Sequence, residues 1–200
     1  MTFSNKTARP TKEETKNRIL EKADELFRQY GFGKTTVADI AEEMEMSSAN
    51  IYKFFASKEA IVQASADRNL AIVRKNVADI ARSSASVGQR IEGIVLVIFR
   101  FHQDLFRNER QIFKMVIQAM EEAWTCVDDY YAFLSATFRA LLEEGMKKGE
   151  VRPADLDELA TALFDSLHVA MHPHLRPQWS PTENDHRVRA HIRLVIAALR

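Results

Sequence analysis

The chain has 200 residues, with 28 basic and 28 acidic side chains and a formal net charge of +0. That length allows one domain or two small ones with an ample core. The longest clean apolar run, Ile94 to Phe99, is far short of the ~20 residues needed to span a bilayer. The polar start, with Lys6 and Arg9, lacks the apolar segment of a signal peptide, so no membrane partner is expected. A single cysteine, Cys126, excludes an internal disulfide and fits a cytoplasmic protein. Nucleic-acid binders are often basic, so the neutral sum counts mildly against that class. The charges are unevenly placed, however. Residues 46–58 carry Lys53 and Lys58 and no acid, and Lys6, Arg9, Lys12, Lys16 and Arg18 cluster near the start.

No proline falls between Pro10 and Pro153. A proline inside a helix costs about 3 kcal/mol, so its absence permits helix throughout that span. With no strong strand alternation, we read the chain as all-α, with about nine helices. The first covers about residues 12–30, where Ile19, Ala23, Leu26, Phe27 and Tyr30 recur at helical spacing and Gly31 stops the run. The second starts at Thr36, with Asp39 three residues on as a capping-box analogue and Val37, Ile40, Ala41 and Met44 inward. The third opens at Ser47, a favoured N-cap, and turns Ile51 and Phe55 inward. Ser57 caps a fourth, ending near residue 82. The small polar segment 83–86 marks a domain boundary there or within the fourth helix. The domains are read as 12–72 and 84–200.

Longer helices come next, over about residues 89–107, 109–124 and 127–148, the last closed by Gly149 after Lys147 and Lys148. The eighth starts at Asp155 with Glu158 in a capping-box pattern, and the ninth has Ser180 as N-cap with Pro181 at its first position.

Residues 36–55 read as two short helices joined by a tight turn. Such pairs are mostly structural, but the composition of the second favours a DNA groove. Ser47, Ser48, Ala49 and Asn50 lie in or at its first turn, where a recognition helix meets base edges. Short side chains let the backbone approach, and asparagine can pair with adenine. Thr35, Thr36, Tyr52, Lys53 and Lys58 are placed for phosphates, which fix register while bases specify sequence. The plain alternative is that Tyr52 packs in the core and Lys58 is merely solvated.

With those residues in view, the stretch of about 12–72 resembles the DNA-binding domain of TetR-family transcriptional regulators. The matching marks are Gly31-Phe32, Thr35-Thr36-Val37 with Ile40-Ala41, Ile51-Tyr52 with Phe55, and Ser57-Lys58-Glu59-Ala60-Ile61. The second half is similar only in helix count and lengths. The resemblance implies a helical homodimer, most often a repressor, with an effector pocket in the second half and release of an operator duplex when that pocket fills. The chain departs from the pattern where the family often has glycine in the turn between the two motif helices. Glu45 stands there, and a left-handed backbone at a non-glycine costs roughly 1–2 kcal/mol.

Adaptable methionines and flat aromatics of the second half suit an apolar cavity and an ordinary core equally. Guided by the resemblance, we expect Phe99, His102, Phe106, Phe113, Ile117, Met120, Trp124, Tyr131, Phe138 and His168 to line the site of a small apolar or amphipathic effector. Leu163, Leu167, Met171, Val188, Ile192, Val195, Ile196 and Leu199 form apolar stripes on the last two helices. They are expected to meet a second copy, unless they pack within their own subunit. An enzyme is disfavoured. His168 and His172 are four apart, but no zincin glutamate, phosphate loop or cysteine partner accompanies them, so no metal or cofactor is expected. A helical adaptor that binds protein rather than DNA is the remaining alternative.

Overall fold

In the computed structural model, which describes residues 10–172 and 181–200, reciprocal capping starts the first two helices. Thr11 Oγ1 accepts from the Glu14 N–H at 3.1 Å, and Glu14 Oε2 accepts from the Thr11 N–H at 2.7 Å, which opens α1 (Lys12–Tyr30). Thr36 and Asp39 make the same exchange at 3.2 and 2.7 Å for α2 (Val37–Glu43). α3 (Ser48–Ile51) comes after Ser47, and α4 (Lys58–Ala81) after Ser57, whose Oγ accepts from the Ala60 N–H at 3.2 Å.

The chain divides into two compact units, one ending at Ser65 and one running from Ala66 to Arg200. The division falls inside α4, so one continuous helix serves both. In the first unit Ile19, Ala23 and Phe27 of α1, Ile40 and Ala41 of α2, Ile51, Phe55 and Ile61 are buried. Each large apolar side chain so placed contributes about 1.5–3 kcal/mol. Ser65 donates to the buried carboxylate of Asp24, tying α4 to α1 within this unit.

The second unit contains α5 (Val87–Asn108), α6 (Arg110–Glu121), α7 (Thr125–Lys148), α8 (Leu156–Met171) and α9 (Pro181–Ala197). No strand occurs among the described residues. Ile91, Ile94, Val95 and Ile98 of α5 pack with Leu134, Phe138 and Leu141 of α7, Leu163 and Leu167 of α8 and Ile192 of α9. Gly88 lets α5 and α9 approach closely, because a Cβ there would lie 3.0 Å from Ile196 Cγ2. Arg90, nearly buried, forks onto both oxygens of Glu144 at 2.6 and 3.0 Å and donates to the Ala81 carbonyl at 2.9 Å. That guanidinium, with Lys148, draws the Glu144 carboxyl down to about 2.

Two caps of this half fall where the sequence places them, and a third, the exchange between Ser86 and Gln89 that opens α5 at Val87, lies two residues before the expected start. Gly149 is left-handed at the end of α7, and Asp155 accepts from the N–H groups of Asp157 and Glu158 at 3.1 and 2.9 Å. Ser180, the expected cap of α9, lies outside the described residues.

The last two helices require a correction. Leu163, Leu167, Met171, Val188, Ile192 and Leu199 are buried within their own subunit, and Val195 and Ile196 are half-buried against the same core. The stripes face inward because α8 and α9 must cover α5, and Arg189, oriented by Asp185 of its own helix at 2.7 Å, ties α9 to Glu92 of α5 at 3.2 Å. The outward side carries Val169, 62% exposed, and Leu194, 72% exposed, beside small residues such as Ala162, Ser166 and Ala190. His191 Nε2 donates to the Ser166 carbonyl at 2.8 Å, so this side spans both helices.

Candidate nucleic-acid interface

The turn between α2 and α3 is built on Glu45. Its φ of 52° is left-handed, the Met46 N–H reaches the Ala41 carbonyl at 2.8 Å, and the Glu45 N–H reaches the Glu42 carbonyl at 3.0 Å. This is the helix ending usually supplied by glycine. The chain keeps the geometry and bears roughly 1–2 kcal/mol for it. Ala123 (φ 48°) closes α6 the same way, with Trp124 N–H to the Ala119 carbonyl at 3.0 Å.

α3 is shorter than the sequence suggests. Helical bonding ends at Ile51, and tighter turns carry the chain on to Phe55, with the Phe54 and Phe55 N–H groups sharing the Ile51 carbonyl at 2.9 and 3.2 Å. Ile51 and Phe55 are buried and anchor the segment from beneath. Ser47, Ala49 and Lys53 are then exposed, and Ser48 and Asn50 half-exposed. Ser47 makes no side-chain cap bond, which leaves its hydroxyl for another partner. Tyr52 is 49% exposed, so the core alternative for it fails.

Thr35 does not belong to this surface. It is 2% exposed, and its hydroxyl donates to the Gly31 carbonyl at 3.0 Å, closing the turn after α1. Its hydroxyl is spent inside the protein. Thr36 is exposed and accepts a helix-capping bond, so only its hydroxyl hydrogen remains to be donated. Lys58 is tethered at one of its three donors, to the Gly33 carbonyl at 3.3 Å, and its charge helps hold the neighbouring Asp39 carboxyl below the usual range, chiefly lowered by the Thr36 N–H. The tether sets the ammonium beside the start of α2. The structure adds one basic residue that the sequence shows only as part of a cluster. Lys16 of α1 sits over the Phe55 ring, 5.6 Å from its centroid, which brings α1 to the end of the motif. Nothing in the spacing of Lys16 and Phe55 signals this.

Of the residues expected around an effector, Phe138, Tyr131 and His168 are joined through Phe164 in one run of ring contacts, while Phe106 and Phe113 pair with each other at another corner of the second unit. Phe99 and Phe138 are buried in the α5–α8 core. His102 is buried too, and its Nδ1 donates to the Met171 carbonyl at 2.8 Å. Burial drives its pKa down to about 4, so the ring is neutral. Phe106 and Phe113 meet edge-on at 5.2 Å at the α5–α6 corner. Tyr131 and His168 meet at 5.3 Å beside Phe164. Met120 and Trp124 lie at the edge of the core, and Ile117 is half-buried. Two grooves of this unit are lined by other residues. One of about 640 Å³ lies among Val87, Met146, Val151, Ile196 and Leu199, and one of about 360 Å³ runs between α4 and α7. The rings of His168 and His172 are 5.5 Å apart, and among the described residues no group of three metal-ligating side chains forms. No helix among them is long and apolar enough to cross a membrane.

Known proteins match both units. Residues 19–65 match the model of the bacterial regulatory proteins of the tetR family, and residues 88–192 match the tetracyclin repressor-like C-terminal domain. The uncharacterized HTH-type transcriptional regulator YdeS of Bacillus subtilis is 31% identical over 154 residues, 75% of this chain and 74% of that protein. The HTH-type transcriptional repressor KstR2 of Mycobacterium tuberculosis is 26% identical over 160 residues, 76% of this chain and 78% of that one. In fold, a regulator of the TetR/AcrR family from Thermobifida fusca superposes with a TM-score of 0.65 at 22% identity, covering 93% and 98% of the two chains. The exposed polar face on α3, the anchored turn beneath it and these matches together make the chain a member of the TetR family, a DNA-binding transcriptional regulator.

Proposed function

We propose that the protein is a cytoplasmic homodimeric repressor that leaves its operator when a small apolar or amphipathic effector binds the second half. DNA binding is assigned to residues 12–72, and effector binding and dimerisation to 84–200. The observation that carries the reading is the α3 face, where short polar side chains stand outward over a buried Ile51–Phe55 anchor. Asn50, with Ser47, Ser48 and Ala49, meets base edges in the major groove. Thr36, Tyr52, Lys53 and the tethered Lys58 meet phosphates, and Lys16 joins them from α1. The repressor sign is supported by the relative KstR2, which is named a repressor.

Dimerisation is assigned to the outward side of α8 and α9, around Val169 and Leu194. Exposed aliphatic side chains set among small residues let two helix pairs approach closely. Two recognition helices then meet successive major grooves, about 34–36 Å apart for half-sites one turn apart. The effector acts by favouring a conformation whose recognition helices fit the operator poorly.

The test is selection of duplexes from a random pool, then titration of the best one against salt. A single palindromic consensus is expected, with affinity falling steeply as salt rises. Failure to enrich any sequence, or salt-insensitive binding, sinks the DNA reading in favour of the adaptor alternative. Sedimentation of Leu194→Asp as a dimer would refute the interface. A panel of apolar and amphipathic molecules, none of which lowers operator affinity, would refute the effector.

A further inference from the structure

The groove of about 640 Å³ in the second unit lies where the first turn of α5, the end of α7 and the end of α9 converge. Its walls are pinned by hydrogen bonds. Gly149 ends α7 in the left-handed conformation. Glu150 then accepts from the Val87 N–H at 2.7 Å, and the Arg152 N–H donates to the Leu199 carbonyl at 2.8 Å. Residues 149–153 are thereby held to α5 on one side and to the chain after α9 on the other. Val151 is buried against Gly145 of α7, where a Cβ would lie 2.5 Å from Val151 Cγ2. The floor is apolar, made by Val87, Met146, Val151, Ile196 and Leu199. Its volume falls within the usual range of ligand sites.

The rim is positively charged. Arg152 and Arg200 line this groove, and Arg193 lines a smaller one of about 260 Å³ that shares Ser86, Gly88, Ile196 and Arg200 with it. All three arginines are exposed, and among the described residues none of them forms an ion pair. The two acids of the linings are already engaged. Glu150 holds the Val87 N–H, and Glu92 holds Arg189 at 3.2 Å. Gly88 stands in the first turn of α5, at the positive end of that helix. An apolar floor under unpaired guanidinium groups fits a ligand with an aliphatic tail and an anionic head. A guanidinium can take a carboxylate on two parallel hydrogen bonds, whereas a cationic head meets only carboxylates that are already bonded.

We propose that this groove binds the effector, and that the effector is an amphipathic anion, an aliphatic tail ending in a carboxylate. The inference rests on the reading of the protein as a ligand-released repressor. The tail lies on the apolar floor, and the head meets Arg152 and Arg200, with Arg193 adding to the local field. Arg193 directly precedes Leu194 on α9, so a ligand held at this end acts on the helix assigned to the dimer.

The experiment uses the full chain with sodium octanoate and 1-octanol as probes, read by calorimetry, by thermal shift and by operator affinity. Wild type is expected to bind octanoate at least about tenfold more tightly than 1-octanol at low salt, with the advantage shrinking as salt rises. The double variant Arg152→Gln/Arg200→Gln removes two exposed charges. It should weaken octanoate about tenfold and leave 1-octanol unchanged. Its ligand-free Tm should also stay unchanged, because neither guanidinium has an ion-pair partner to lose. Pro153→Trp, on the exposed rim, should block both probes while circular dichroism shows a folded protein. Octanoate should lower the operator affinity of wild type, and the double variant should need about tenfold more of it. Equal affinity for the two probes, or octanoate binding that ignores both variants, overturns the assignment. If octanoate fails to bind wild type while another molecule releases DNA, the groove is wrong and the ligand-released reading stands. If octanoate binds through the arginines but leaves operator affinity untouched, the ligand site stands and its role in release falls.

Discussion

The two units use their surfaces in opposite ways. On α3 short polar residues face outward, and the apolar pair Ile51 and Phe55 anchors them from beneath. On α8 and α9 the conspicuous apolar stripes are inward, and the outward face is a sparse set of Val169, Leu194 and small residues. A polar residue on an otherwise anchored helix has one place to go. An apolar stripe has two, its own core or a partner, and periodicity cannot tell them apart.

That contrast breaks most visibly at α9. Ile192→Asp buries a charge at a fully buried position and should cost about 4 kcal/mol or more, abolishing cooperative thermal unfolding of the second unit. Leu194→Asp, two residues on, should leave the monomer folded and remove the dimer, as read by circular dichroism and sedimentation side by side. Equal behaviour of the two variants would erase the inward–outward distinction.

His102 gives the next effect. Its folded pKa of about 4 lies below the ordinary value of 6.5, so the unfolded chain takes up a proton first as pH falls. Stability is full above about 6.5 and declines by about 3 kcal/mol on the way down to 4. Denaturant melts across that window should show the loss in wild type and a flatter profile in His102→Leu. A profile of unchanged slope in the variant would assign the acid sensitivity elsewhere.

On the DNA side, Asn50→Ala should cost about 1–3 kcal/mol at a single base pair of the selected duplex if the side chain makes a bidentate contact. Lys58→Ala should weaken all sequences alike and lower the salt slope by about 1. Thr35→Val should leave the salt slope unchanged and lower stability, because the Thr35 hydroxyl closes the turn after α1. A smaller salt slope in Thr35→Val would return that residue to the phosphate surface. The smallest effect is at the turn: Glu45→Gly should stabilise the first unit by about 1 kcal/mol, seen as a higher melting temperature. Destabilisation would mean that the Glu45 side chain contributes something the backbone strain conceals.

Much of the fold was legible because local chemistry is local. Thr36 with Asp39, Gly149 and Asp155 act within a few residues, and each starts or ends a helix where the chain alone indicates. Ser47 marks the start of α3 without bonding as a cap, and the helix stops four residues later, since residues 52–55 are shaped by the burial of Phe55. The outward position of the polar residues of α3 was legible for the same local reason, whereas Thr35 is sealed against the Gly31 carbonyl in the turn after α1. Of the residues grouped around one effector, Tyr131, His168 and Phe138 meet around Phe164 and Phe106 pairs with Phe113 elsewhere, a division that a sequence does not report because it shows that a side chain is apolar and not which neighbours surround it.

By itself, then, the sequence determined the helices, the cap chemistry, the unusual residue in the motif turn and the family. Those depend on spacing and on residue type over a turn or two. Tertiary structure decided which side of α8 and α9 is exposed and that Thr35 is sealed and Lys58 tethered. The choice of side on α8 and α9 depends on side chains far apart in the chain competing for the same buried space, whereas Thr35 and Lys58 depend on how the turn after α1 closes and presents the carbonyls of Gly31 and Gly33.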